Sequence, residues 1–115
     1  MEWAKGWKDR AWLWLVQQDM EKRKEDSSFK TANRTRIIFM RLCELALKKS
    51  YTDGEYLAIP LSVSELQELL GYHRYVLTRA FRDLQSCGAI TRVQPDDKSF
   101  PRKPALTIIN YVDKE

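Results

Sequence analysis

The sequence predicts a mainly α-helical α+β fold that ends in a small β wing. Four segments carry apolar residues at spacings of three and four, as amphipathic helices do. Two of these helices are short and adjacent, with Gly71 between them, and two strand-like segments separated by a polar loop follow them. The 115 residues suffice for one domain whose core needs neither disulfides nor a structural metal.

The first predicted helix is rich in tryptophan. Apolar residues recur with helical spacing from Trp3 to Arg23, and three of the four tryptophans lie between Trp7 and Trp14. A helix that is apolar on more than one face needs more than one partner surface. Either it packs on the rest of the domain, or part of it forms a homodimer interface, where tryptophan is enriched. We assign residues 1–30 to this packing or dimerisation segment. The candidate interface residues are Trp3, Trp7, Trp12, Trp14 and Leu15.

The second predicted helix opens the main domain, residues 31–115. Ser27-Ser28 interrupts the helical pattern, and Thr31 or Asn33 is the expected N-cap. Apolar residues then recur with helical spacing to Leu47. The charges of Lys48-Lys49 suit the carboxyl end of the helix dipole. This segment is therefore expected to be a core helix.

A tight turn and a short strand lead to the pair of short helices. Asp53-Gly54 marks the turn, and the segment 56–59 is the strand. Ser62 or Ser64 is the expected N-cap of the third helix, and Glu65, three residues after Ser62, would complete a capping box. Gly71 ends that helix in a left-handed conformation. The inward residues of this helix are expected to be Leu66, Leu69 and Leu70.

The fourth predicted helix, residues 74–86, follows after a turn of about three residues. Gly88 ends it, and a strand begins at Ala89. The loop 94–104 is rich in proline and charge and connects that strand to the segment 105–111. Two helices joined by a glycine-containing turn and followed by a β-hairpin form a winged helix-turn-helix. We expect this fold with an additional N-terminal helix.

The positive charge is concentrated on the fourth helix and the wing. The net charge of the chain is +4, and the segment from Gly71 to Pro104 alone contains seven basic and three acidic residues. A localised basic surface is typical of partners rich in phosphate. Arg74, Tyr75, Thr78, Arg79 and Arg82 share one face of the fourth helix, and arginine can donate two hydrogen bonds to guanine. The candidate DNA-binding residues are Ser62, Ser64, Tyr72, His73, Arg74, Tyr75, Thr78, Arg79, Arg82, Lys98, Arg102 and Lys103.

The segment 59–84 reads I-P-L-S-V-S-E-L-Q-E-L-L-G-Y-H-R-Y-V-L-T-R-A-F-R-D-L. It resembles the C-terminal DNA-binding domain of the Crp/Fnr superfamily of bacterial transcription regulators. That family carries E-[LI]-A-x-x-[LIV]-G and then a recognition helix with S-R-E-T-V-[SG]-R. Arg74 and Arg79 match its two arginines, which implies that Arg74 reads bases and Arg79 holds the helix on DNA. His73 replaces the usual serine, and Tyr75 replaces the glutamate that reads cytosine in the family, so the resemblance does not predict the half-site.

The resemblance covers residues 34–93. Superfamily members also carry an effector-binding β-barrel, for which 115 residues leave no room, so we expect no such domain. The first helix would then correspond to their long dimerisation helix. A second resemblance lies in residues 106–111, L-T-I-I-N-Y, which are similar to the last strand of winged-helix domains in phage and plasmid replication proteins. There, T-I-x-N-Y closes the wing.

These observations predict a sequence-specific protein that binds double-stranded DNA. We expect a small transcription regulator that inserts helix 74–86 in the major groove and lays wing 94–104 on the flanking backbone. A homodimer is expected because one recognition helix reads few base pairs. RNA polymerase or replication proteins would be further partners. The alternatives are a replication initiation protein and a winged-helix module that docks on proteins through the tryptophan helix.

Catalysis, cofactors and membrane insertion are not expected. His73 is the only histidine, so it cannot assemble a metal cluster or a serine triad. The sequence lacks both GxxxxGK[ST] and GxGxxG, the usual phosphate-binding loops. Cys43 and Cys87 lack metal-ligand spacing and are expected to be buried free thiols. No apolar run is long enough to cross a bilayer, so we expect a soluble, cytoplasmic protein.

Overall fold

A computed structural model describes residues 2–96, 98, 100 and 104–114. Within these residues the chain has four helices and four strands, which confirms the predicted α+β class and the winged-helix arrangement. In chain order the elements are α1 (Trp7–Glu25), α2 (Asn33–Lys49), β1 (Thr52–Asp53), β2 (Tyr56–Ile59), α3 (Val63–Leu70), α4 (Arg74–Ser86), β3 (Ile90–Val93) and β4 (Leu106–Ile109).

The described strands form one antiparallel sheet in the order β1-β2-β4-β3. The last strand in sequence, β4, therefore lies between β2 and β3. Ile109 on β4 faces Leu57 on one neighbour and Ile90 on the other. The predicted hairpin between β3 and β4 is confirmed, and it is joined to the first hairpin through β2.

The core lies between the sheet and the helices, and all four helices contribute to it. Ala11 and Leu15 of α1 are completely buried in the same cluster as Phe39 of α2. Residues 1–30 and 31–115 thus share one core. The largest fully buried side chains include Phe39, Ile38, Leu42, Leu57, Ile59, Leu66, Leu77, Leu84, Ile90 and Ile109.

The tryptophans of the N-terminal segment pack largely on the domain itself. Trp3 makes edge-to-face contacts with Trp7 and Tyr111, each at 5.3 Å between ring centroids. Trp14 lies 5.3 Å from Tyr111 and stacks on Phe39 at 6.0 Å. These contacts support packing on the rest of the domain, the first of the two predicted roles.

Two other members of the predicted dimer interface have different surroundings. Trp12 lies under the guanidinium group of Arg36, 5.9 Å from the ring centroid. Leu15 is completely buried in the core, so it cannot contact a second copy of the chain as the predicted dimer interface requires. The exposed apolar residues of α1 are instead Leu13 and Met20, at 61% and 54%.

Asp19 is a completely buried carboxylate that ties α1 to the start of α2. Its Oδ2 accepts hydrogen bonds from the Thr31 hydroxyl at 2.7 Å and Arg36 Nη2 at 2.6 Å, and its Oδ1 accepts one from Arg23 Nη2 at 2.8 Å. Burial opposes its ionisation, but the hydrogen bonds from Thr31, Arg36 and Arg23 outweigh burial and lower the pKa of Asp19.

The predicted N-cap of α2 is wrong. Ala32 occupies the N-cap position, without a side-chain hydrogen bond, and Asn33 is already the first helical residue. The hydroxyl of Thr31 donates its hydrogen bond to Asp19 instead of capping the helix. A hydrogen bond to an ionised carboxylate is stronger than one between neutral groups. The spacing of residues in the sequence does not reveal that Asp19 lies beside Thr31.

The two ends of the described chain are joined by an ion pair, the Arg10–Asp113 clasp. Arg10 donates two hydrogen bonds to Asp113, at 2.9 and 2.8 Å, and the Tyr111 hydroxyl donates another at 2.6 Å. The Arg10 hydrogen bonds hold the pKa of Asp113 at about 2. Burial and the neighbouring carboxylate raise the pKa of Tyr111 to about 12.

Three further predictions concern burial and membranes. Leu69 is 52% exposed, so its predicted inward position is wrong, whereas Leu66 and Leu70 are buried. Leu69 lies about 60° around α3 from Leu66, and a helix of two turns buries only a narrow stripe. Cys43 and Cys87 are buried and free, as predicted. None of the helices in the described residues has the length and apolarity to cross a membrane.

Candidate nucleic-acid interface

Local hydrogen bonds determine where α3 and α4 begin and end. The Ser62 hydroxyl accepts from Glu65 N, and the Glu65 carboxylate accepts from Ser62 N, so the predicted capping box is confirmed. Gly71 ends α3 with φ +75°, in the left-handed region. His73 then caps α4 because its Nδ1 accepts from Tyr75 N at 3.2 Å. The turn between the helices is therefore specified at both ends.

The outer face of α4 is polar and largely basic, and it points to solvent. Its members are all exposed, and Tyr75 is 65% exposed, whereas Leu77 and Leu84 on the opposite side are completely buried. We call this surface the α4 outer face. It consists of Arg74, Tyr75, Thr78, Arg79 and Arg82.

Two predicted site residues on different helices are brought together by a hydrogen bond. Arg74 Nη1 donates to the Ser64 hydroxyl at 3.2 Å, which links the first turn of α4 to the first turn of α3. The Thr78 hydroxyl donates to the Arg74 carbonyl at 2.8 Å, one turn back along α4. Both contacts are exposed, so the Arg74 guanidinium keeps donors that can reach a ligand.

A groove of 690 Å³ runs between α4 and β3, and we call it the Arg92 groove. Arg92 stacks its guanidinium on the Phe81 ring, 4.6 Å from the centroid. Its Nη1 is buried without a hydrogen-bond partner among the described residues. Burial lowers the pKa of Arg92. The groove is lined by Val63, Arg74, Thr78, Phe81, Arg82, Gln85, Ser86, Arg92 and Gln94.

The prediction from sequence did not include Arg92 among the DNA-binding residues. The alternation of side chains along β3 could have indicated it. Ile90 faces the core, and Arg92, two residues later, lies on the same side of the strand. An arginine at an inward register position needs an aromatic ring or an acceptor nearby. Knowing that the ring belongs to Phe81 requires the tertiary structure.

The remaining predicted residues have different surroundings. Tyr72 is half-buried and turned toward α2, where the Arg41 guanidinium lies over its ring at 5.2 Å and Arg41 also donates to the Leu70 carbonyl. Lys98 is exposed, and its backbone N–H donates to Asp96. Arg102 and Lys103 lie outside the described residues.

Across residues 2–96, 98, 100 and 104–114, no three His, Cys, Asp or Glu side chains converge as they would at a metal site. The chemistry that the interface does offer is hydrogen-bond donation from arginine, tyrosine and threonine.

No protein-family model matches the sequence, and no curated protein matches it either. A solved structure described as the N-terminal domain of a DNA binding protein is similar to this chain, with a TM-score of 0.59 and 19% sequence identity. The similarity covers 75% of this chain and 66% of the other chain, just under two thirds of its length. At this identity the likeness shows the fold alone.

Proposed function

We propose that this protein binds double-stranded DNA and inserts α4 into the major groove. The observation that carries the proposal is the α4 outer face, a row of exposed donors on the second helix of a helix-turn-helix. The similar solved structure comes from a protein described as DNA binding, which supports the same function.

The geometry suggests separate roles along α4. Residues at its N-terminus reach deepest into the groove in this class of fold, and Arg74 is at that end. Arg74 therefore reads a guanine through two donors, while Arg79 and Arg82 one to two turns later hold phosphates. Lys98, with the predicted Arg102 and Lys103, contacts the flanking backbone from the wing.

Substitution of single arginines tests these roles. Arg74→Ala should cost about 1–3 kcal/mol on the cognate site and relax specificity, because a bidentate base contact is lost. Arg82→Ala should weaken cognate and random duplex alike, since a phosphate contact carries no sequence information. Fluorescence anisotropy on both duplexes measures the two effects. Equal losses of Arg74→Ala on both duplexes would contradict its role in base reading.

We further propose that the protein is a small transcription regulator that acts as a homodimer. Leu13 and Met20 leave apolar surface exposed on α1, beside the tryptophans that pack on the core. Paired recognition helices would read two half-sites about one helical turn apart. Sedimentation at micromolar concentration should show twice the 13.6 kDa of one chain. A 13.6 kDa species without DNA would contradict the dimer.

A second candidate function is replication initiation. The T-I-I-N-Y residues close the base of the wing, because Asn110 Nδ2 donates to the Gly88 carbonyl at 2.9 Å and Tyr111 packs on Trp3 and Trp14. Selection of bound sequences from a random duplex pool separates the two roles. A palindromic site favours the dimeric regulator, and direct repeats favour an origin-binding protein.

Docking on proteins is a further alternative, and salt dependence separates it from DNA binding. Each phosphate contact releases a counterion, so DNA affinity should fall steeply as salt rises. A docking module would show a weaker dependence and would be more sensitive to tryptophan substitutions than to Arg74→Ala.

A further inference from the structure

A second basic groove lies on the other side of α4, beside the start of α2. Its volume is 180 Å³, and we call it the Arg34 groove. It contains three cations, Lys30, Arg34 and Arg79, and one carboxylate, Asp83. The remaining lining residues are Ala32, Thr35, Ile38, Val76 and Ala80.

The arginines of this groove differ from the other described arginines because they have no partner among the described residues. Among the described arginines, only Arg34 and Arg79 make no side-chain hydrogen bond, ion pair or ring contact. Lys30 is likewise exposed and unpaired among the described residues. Asp83 lies 3.8 Å from Arg82, which offsets part of its charge. The groove therefore keeps a surplus of positive charge.

The Arg34 groove lies beside the α4 outer face, on the side of α4 opposite the Arg92 groove. Successive helix residues turn by about 100°, so the two grooves contact opposite sides of α4, and the outer face lies between them. A helix in the major groove has a phosphate backbone on each side, because that groove is about 12 Å wide. On α4, the Arg34 groove contacts Val76, Arg79, Ala80 and Asp83, and the Arg92 groove contacts Arg74, Thr78, Phe81, Arg82, Gln85 and Ser86.

We infer that the Arg34 groove binds the phosphate backbone of one DNA strand while the Arg92 groove and the wing face the other strand. This inference rests on the proposed insertion of α4 in the major groove. It adds Lys30 and Arg34, from outside the basic segment 71–104, to the interface. Duplex DNA would then be held from both sides of α4.

A charge-matched pair of double variants tests the inference. Lys30→Gln with Arg34→Gln removes two cations from the groove. Lys48→Gln with Lys49→Gln removes two exposed cations from the opposite end of α2, about 22 Å from Arg34 along the helix axis. The slope of log affinity against log salt should become shallower by about 2 in the first variant, on cognate and random duplex alike. It should stay at the wild-type value in the second.

Phosphate ethylation interference locates the contacts by strand. The first double variant should lose interference on one strand, and Arg92→Met should lose it on the other. If the variant Lys30→Gln with Arg34→Gln binds DNA with the affinity and salt slope of the wild type, this inference alone is overturned. The same holds if both double variants change the salt slope equally. Absence of duplex binding by the wild type overturns the proposed function as well. Far-ultraviolet circular dichroism should show the same helix content in all variants. The four residues of the double variants are exposed, and Arg92 lines the Arg92 groove.

Discussion

Arg92 and Thr107 face each other across β3 and β4 and share an unusual property. Arg92 Nη1 and the Thr107 hydroxyl are both buried without a hydrogen-bond partner in the described part of the chain. A buried, unpaired donor costs about 1–3 kcal/mol. The ring of Phe81 offsets part of this cost for Arg92, at about 0.5–2 kcal/mol for a cation–π contact. The other N–H groups of the guanidinium face the Arg92 groove, where they can donate to a ligand phosphate.

Replacing Arg92 should therefore separate binding from stability. In Arg92→Met the free energy of unfolding should change by less than about 1 kcal/mol, because the lost cation–π contact and the removed unpaired donor offset each other. Affinity for duplex DNA should nevertheless fall. Urea unfolding and anisotropy measure the two quantities. A large loss of stability would show that Arg92 serves the fold instead.

Thr107→Val is the matched control at the same row of the sheet. Valine has nearly the shape of threonine and removes an unpaired hydroxyl, so the variant should be more stable by about 1 kcal/mol. Its affinity for DNA should be unchanged, because Thr107 is completely buried.

Among the elements, the turn between α3 and α4 determines how the α4 outer face is presented. Gly71 has φ +75°, and a Cβ added there would meet no atom within 4 Å. Steric contact is thus excluded as a reason for glycine at this position, and backbone conformation is what remains.

Gly71→Ala should lower the free energy of unfolding by about 1 kcal/mol, the cost of a left-handed L-residue. Gly71→Asn should lose less, since asparagine tolerates that conformation better. The midpoints of urea unfolding give the order glycine, asparagine, alanine. Equal stability of all three proteins would contradict a conformational role for Gly71.

The same elements show how far the sequence can predict this structure. The capping box at Ser62, the left-handed Gly71 and the hairpin β3–β4 were predictable because neighbours in sequence decide them. The cap of α2 and the exposure of Leu69 were not, because a carboxylate on α1 and the narrow contact of α3 decide them. Interactions between neighbours in sequence determine where these helices begin and end. Contacts between distant parts of the chain determine which side chains cap a helix and which are buried.

The candidate site follows the same division. Helical spacing was sufficient to predict the α4 outer face, since one helix carries all of it. Arg92 and Arg34 belong to the grooves only because β3 and α2 pack beside α4. The net charge of a sequence segment could not reveal Arg34, because acidic residues elsewhere in the sequence cancel its charge in the sum.

At the scale of the whole molecule, the Arg10–Asp113 clasp joins α1 to the end of the described chain. Asp113 is almost completely buried, with its side chain 1% exposed. Its folded pKa of about 2 lies below the ordinary value of 3.8. The contribution of the clasp is therefore complete above about pH 4 and is lost as the pH falls through 2.

Asp113→Asn should lower the free energy of unfolding at pH 7 by about 2 kcal/mol. The difference from wild type should shrink toward pH 2, where the wild-type carboxyl is itself protonated. Urea unfolding at pH 7, 4 and 2.5 measures it. As a control, Glu44→Gln removes the exposed pair with Lys8 and should change stability by at most about 0.5 kcal/mol. A pH-independent difference for Asp113→Asn would contradict the lowered pKa.

The Asp19 network has a thermodynamic consequence for association. Arg23 donates to the Phe29 carbonyl and to Asp19, and Asp19 in turn binds Thr31 and Arg36, so the segment between α1 and α2 is ordered before any ligand arrives. Lys30 precedes Thr31, and Arg34 follows it three residues later. The backbone of residues 30–34 therefore needs no further ordering on contact with a phosphate strand. Binding at this side should consequently carry a small conformational entropy penalty and a modest heat-capacity change, the signature of two preformed surfaces.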